Sequence, residues 1–197
     1  MTALAPVLGT GDLPLAELHA AKLDGELFVL DEWFSPVDSP PTEQSRAGAL
    51  TLTLAEHGSL GRRVIAEQHT AAWVWGAIPA PPYPHQFCAR GSTHTRAAAG
   101  GLGRVREVRI GDHDLVVRSG LTITTPRRTI LDIVRFSSEF GATETTMVRR
   151  LLDLAGLTVA DCREQLGALR NLSYKKRGLE RLAALPDDRN QGRCIEV

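Results

Sequence analysis

Apolar positions first fall into a regular stripe near residue 12. Leu15, Leu18 and Ala21/Lys22 recur at the three-to-four spacing of a short helix. Asp12 can cap it, Pro14 suits its first turn, and Gly25 can take the left-handed position that ends it. Two β-rich runs, 26–30 and 33–37, flank Asp31-Glu32 and predict a hairpin. Ser39-Pro-Pro-Thr42 breaks the pattern. A helix is then predicted from Thr42 through Ala47, Leu50 and Leu54 to a stop at Gly58, and another over 67–76, closed by Gly76. Four prolines within 78–84 require an extended surface loop. Short strands are predicted at 85–90, 104–110, 114–118 and 121–124, with a small-residue loop over 91–103 and turns at Gly111-Asp112 and Ser119-Gly120. From Pro126 the period becomes helical, over 126–137, 142–155, 158–169 and 174–185. Beyond Pro186 the chain is polar and expected to fray.

This order predicts an α+β protein. A helix followed by a hairpin is the second half of a winged-helix unit, and the dozen residues ahead of it are too few for the two further helices of a full one. The expected organisation is a truncated winged-helix-like unit over 1–41, then an α+β domain over 42–197 with a mixed α/β middle and a helical C-terminal bundle. Leu15, Leu18, Leu23, Phe28, Leu30 and Phe34 should form one small core beside Val37 in the first unit.

Charge changes this picture more than composition does. Lys+Arg and Asp+Glu number 23 each, so the formal net charge is zero and offers no bulk argument for a nucleic-acid partner. The distribution is uneven. Residues 1–60 hold two basic and nine acidic residues, a net of −7, whereas 61–130 hold ten arginines against four acids, a net of +6. The acidic head can dock on the basic middle within one molecule, or the basic middle can meet an external anion. No stretch approaches the roughly 20 apolar residues of a membrane span, and the start lacks the basic region of a secretory signal. Three widely spaced cysteines, Cys88, Cys162 and Cys194, suit reduced thiols. A cytoplasmic protein without membrane association is expected.

No enzyme constellation is present. The sequence has no nucleophile elbow, no phosphate-binding loop ending in Gly-Lys-Ser/Thr, and no His-Glu-x-x-His. Six histidines are scattered without ligand spacing, and Cys88 with His94 falls short of a zinc set. No metal, cofactor or catalytic residue is therefore assigned, and a non-enzymatic protein is expected. The richest segment is Thr124-Thr125-Pro126-Arg127-Arg128-Thr129-Ile130-Leu131-Asp132. It brings open backbone N–H groups and two guanidiniums to one helix start, which suits a phosphate or carboxylate. The same residues also suit local pairing, because Arg128, Asp132 and Arg135 share one helix face. Lys175-Lys176-Arg177 allows the same two readings, a solvated face or a phosphate contact.

Two segments together resemble a known family. Glu67-Gln-His69-Thr70-Ala71-Ala72-Trp73-Val74-Trp75-Gly76, followed by 120–132 with its Thr-x-x-Arg-Thr-x-x-Asp helix, is similar to the AbiEi antitoxins of abortive-infection (type IV) toxin–antitoxin systems, in the actinobacterial form. The order of elements and the later Gly178-Leu-Glu-Arg-Leu182 extend the resemblance over most of 12–185. It implies a non-enzymatic transcriptional regulator that binds its own promoter through an N-terminal winged helix. It further implies neutralisation of a nucleotidyltransferase-like toxin without a stable complex. With the chain ending at Val197, the nuclease-like C-terminal domain of some relatives is not expected.

The N-terminal unit departs from that pattern: at −7 it repels phosphates, and its helix carries Glu17, His19 and Lys22 rather than a basic face. DNA or anion contact is therefore expected at Arg104, Arg106, Arg109, Arg118, Arg127, Arg128, Lys175, Lys176 and Arg177. Strand alternation puts Arg104 and Arg106 on one face and Arg109 on the other. The alternative function is a protein-interaction module, with acidic head and basic middle, that does not touch DNA.

Overall fold

The computed structural model describes residues 7–61, 63–91 and 104–185. The chain divides into two compact units, Met1–Thr125 and Pro126–Val197. It is an α+β protein. Among the described residues, no helix is long and apolar enough to cross a membrane.

The first unit opens with α1 (Leu15–Leu23), then β1 (Leu27–Leu30) and β2 (Trp33–Pro36). The strands pair antiparallel with Leu30 opposite Trp33, and the turn between them holds Asp31 at a φ of 61°. Leu8, Leu18, Leu27 and Phe34 form the core here, with Leu13 and Ala21 packed against them. The expected core is thus corrected: Leu15, Leu23 and Val37 are exposed, and Phe28 is only half-buried and stands outside this cluster. A nine-residue helix on a two-stranded ribbon buries one narrow stripe. Leu18 and Ala21 occupy it, while Leu8 reaches in from the preceding segment and bridges to Phe34.

Next come α2 (Glu43–Glu56), the single turn α3 (Gly58–Gly61), and β3 (Val64–Ala66) leading into α4 (Gln68–Val74). Thr42 caps α2: its Oγ1 accepts from the Ser45 N–H, and the Ser45 Oγ accepts from the Thr42 N–H. The remaining strands are β4 (Gln86–Arg90), β5 (Arg104–Val108), β6 (Leu115–Arg118) and β7 (Leu121–Thr124). They build a five-stranded sheet in the order β5-β4-β3-β7-β6. It is mixed, with β3/β4 and β6/β7 antiparallel, β4/β5 and β3/β7 parallel. The β6–β7 turn places both Ser119 and Gly120 at positive φ, the geometry that matches the twist of a tight hairpin. Trp73, Phe87 and Ile123 are almost fully enclosed.

The second unit is helical: α5 (Pro126–Phe136), α6 (Ala142–Ala155), α7 (Val159–Ala168) and α8 (Lys175–Ala183). Its core contains Ile130, Ile133, Val134, Met147, Leu151, Leu166 and Leu182, all buried. Gly178 lets the helices close up, since a Cβ there would lie 2.9 Å from Leu166 Cδ2 and 3.0 Å from Arg135 Cγ.

Candidate functional site

In the first unit, the stretch from Glu67 to Thr70 is the polar hinge between β3 and α4. Glu67 is 2 % exposed and takes Arg106 as a fork: Nε donates to Oε1 at 3.0 Å and Nη2 to Oε2 at 2.6 Å. The pair spans β4, because β3 and β5 are its two neighbours. Gln68, held at a φ of 49°, donates to the same carboxylate at 3.0 Å. Gln86 at the start of β4 completes the hinge. Its N–H donates to Thr70 Oγ1 at 2.8 Å, and its Oε1 accepts from the His69 N–H at 3.0 Å. A buried carboxylate gripped at both oxygens by a guanidinium serves as a strut between the strands.

The second unit carries a comparable strut. Asp132, with 0 % exposure, accepts from Arg128 Nε at 2.9 Å and from Arg135 Nη2 at 2.5 Å. Two further arginines close the C-terminal end of α5: Arg177 donates to the Arg135 carbonyl, and Arg181 Nη1 to the carbonyls of Val134 and Ser137 at 3.1 and 3.0 Å. Burial and the neighbouring Arg177 charge lower the Arg181 pKa from its ordinary value.

The nine expected cations therefore have different surroundings. Arg104 opens β5 opposite Gln86. Arg106 and Arg128 hold buried carboxylates, while Arg118 lies 3.5 Å from Glu43 and over the Trp75 ring. Lys175 Nζ donates to the carbonyls of Gly167 and Leu169 at 2.6 and 2.7 Å, closing the end of α7. Lys176 is almost fully exposed, 3.9 Å from Glu180. Arg109, beyond the end of β5, and Arg127, at the rim of a shallow groove with Asp161 and Glu164, are exposed. Arg104, Arg106, Arg109 and Arg118 belong to the first unit, the other five to the second.

Sequence reasoning missed a buried pair in the first unit. His85 Nε2 lies 3.1 Å from Asp31 Oδ2, with side chains 8 % and 6 % exposed, and His85 Nδ1 has no hydrogen bond among the described residues. The pair ties the β1–β2 turn to the start of β4, and its partners stand 54 positions apart. Only the positive φ of Asp31 marks it locally.

Cys88 and Cys162 are buried thiols. Burial pushes the Cys162 thiol up to about 11, which removes it from nucleophilic chemistry near neutral pH. His94 and Cys194 lie outside the described residues. Among the described residues, no group of three or more His, Cys, Asp or Glu is placed to hold a metal ion.

Residues 64–185 match the family model described as the AbiEi antitoxin C-terminal domain, a span that includes both buried struts. No curated protein and no solved structure matches the chain.

Proposed function

The chain belongs to the AbiEi antitoxin family, and from that premise we propose that it is a non-enzymatic, cytoplasmic regulator that binds the promoter of its own operon. Its toxin partner is proposed to be nucleotidyltransferase-like. The N-terminal helix and hairpin over 1–41 are read as a truncated winged-helix unit, supported by their shared core of Leu8, Leu18, Leu27 and Phe34. DNA contact is assigned to the basic middle and tail. The observation that carries this is the charge separation along the chain, −7 in residues 1–60 against +6 in 61–130, because phosphate neutralisation dominates duplex affinity.

The surroundings of the nine cations sharpen the assignment. Arg106 and Arg128 are committed to buried carboxylates, so their loss would damage the fold before it weakened binding. Arg109, Arg127 and Lys176 present exposed side chains and are the positions where binding can be read separately from stability.

The test is a gel-shift titration of the upstream promoter fragment across salt. Three phosphate contacts give a log–log slope of about −3, at about −0.9 per contact. The triple change Arg109→Glu, Arg127→Glu, Lys176→Glu should abolish the shift at moderate salt, while Glu17→Gln and His19→Ala leave it intact. Loss of binding with the head changes, and indifference to the triple change, would place recognition in the N-terminal unit instead. No duplex binding even at low salt would favour the protein-interaction module.

A further inference from the structure

We propose that the Tyr174 surface of the second unit is a stacking platform for single-stranded nucleic acid, a ligand distinct from the promoter duplex. Tyr174 immediately precedes α8, with a φ of 59° and 58 % of its surface exposed. Its ring is nevertheless held in place. Phe136 meets it edge-on, with centroids 5.6 Å apart and planes at 80°. The Arg177 guanidinium sits 4.5 Å from its centroid, and Arg135 lies 4.6 Å over Phe136. Two rings in edge contact therefore sit between two guanidiniums, in the order Arg177, Tyr174, Phe136 and Arg135, and Tyr174 is the exposed ring of the two. An exposed aromatic that is already immobilised loses little entropy when a flat partner settles on it.

Charge selects the partner. Residues 170–181 carry Arg170, Lys175, Lys176, Arg177 and Arg181 against Glu180, their one acid, a net of +4 within twelve positions. Protein interfaces favour tyrosine and arginine but are depleted in lysine. A polyanion with planar groups matches both features: phosphates meet the exposed Arg170 and Lys176, in the field of Lys175, Arg177 and Arg181 that backbone carbonyls hold nearby, and a base stacks on the ring. In duplex DNA the base faces are already stacked on one another, so the ring would be idle there. A single strand offers the open faces that Tyr174 can cover.

The probe is a fluorescein-labelled oligouridylate of 12 nucleotides, with a self-complementary duplex of matching length as control. Binding to the full chain is read by fluorescence anisotropy at low salt. The single strand is expected to bind and the duplex more weakly, and Tyr174→Asn should weaken the single strand about tenfold, the scale of one lost base stack. Asparagine tolerates the left-handed backbone, so the start of α8 is retained, and the thermal midpoint of this variant checks the fold. Tyr174→Phe should remain within about twofold of wild type, because the ring stacks rather than the hydroxyl.

No single-strand binding overturns the proposal, as does equal affinity of wild type and Tyr174→Asn. Equal weakening of strand and duplex by that change also overturns it, leaving the surface to a protein partner or to packing. Tyr174→Asn is expected to leave the promoter gel shift unaltered. Failure here and failure of the promoter reading are therefore separate results.

Discussion

The carboxylate of Asp31 is the one hydrogen-bonding partner of the His85 ring among the described residues, so removing it orphans a buried imidazole at both nitrogens. Asp31→Gly is the clean probe, because glycine accepts the φ of 61° without strain. We expect a loss of about 2 kcal/mol, read from urea denaturation, in the range for breaking a buried polar pair. A loss under about 0.5 kcal/mol would show that water replaces the carboxylate. Cys162 makes a second residue-level case. Its thiol titrates near 11 in the fold against an ordinary value of 9.0, so the neutral form is the folded form. Its contribution is complete below pH 9 and fades as pH rises towards 11, since the unfolded chain ionises first. Stability of the wild type should fall more steeply over that window than stability of Cys162→Ala. Parallel curves would mean that the thiol is not insulated from water.

Caps, stops and periods are local chemistry, and at the scale of elements most of the chain could be read directly, although the short central strand β3 is not among the predicted strands and Pro14 rather than Asp12 stands at the start of α1. Thr42 and Ser45 form the capping box that starts α2, and Gly156, at a φ of 61°, ends α6 where the periodic leucines predict. The four helices from Pro126 fall within two residues of expectation. Thr42→Ala should cost about 1 kcal/mol by removing the cap that satisfies the Ser45 N–H, with the denaturant slope unchanged. What the sequence hides is what each face meets. Alternation puts Arg106 on a known side of β5, but only the strand order β5-β4-β3 brings Glu67 within reach, 39 positions away. Counting charge treated Arg106 and Arg128 as available, although both are spent on buried carboxylates. Helical spacing likewise promised more core than α1 can bury, so Leu15 and Leu23 stand in water. The Arg128–Asp132–Arg135 strut was legible because all three groups lie on one helix face.

Over the whole molecule, the division at Thr125/Pro126 separates two cores of different construction. Each has its own buried strut, and the two units differ in charge. The head at −7 belongs to the first unit, whereas residues 126–185 carry eleven cations against seven acids. A 60-residue helical unit is marginal by size, yet this one has an apolar interior of its own in Ile130, Ile133, Met147, Leu151, Leu166 and Leu182. Its close approach depends on Gly178, where a side chain would press on Leu166 and Arg135. We therefore expect residues 126–185, produced alone, to give a helical circular-dichroism spectrum and one cooperative thermal transition. Gly178→Val should abolish that transition, because helix propensity survives the change while the packing does not. A gradual melt of the unmodified fragment, with no transition to lose, would mean that this core is completed by the first unit. A cooperative melt would make the antitoxin's helical unit an independent body, on which the single-strand titration can be run without the acidic head.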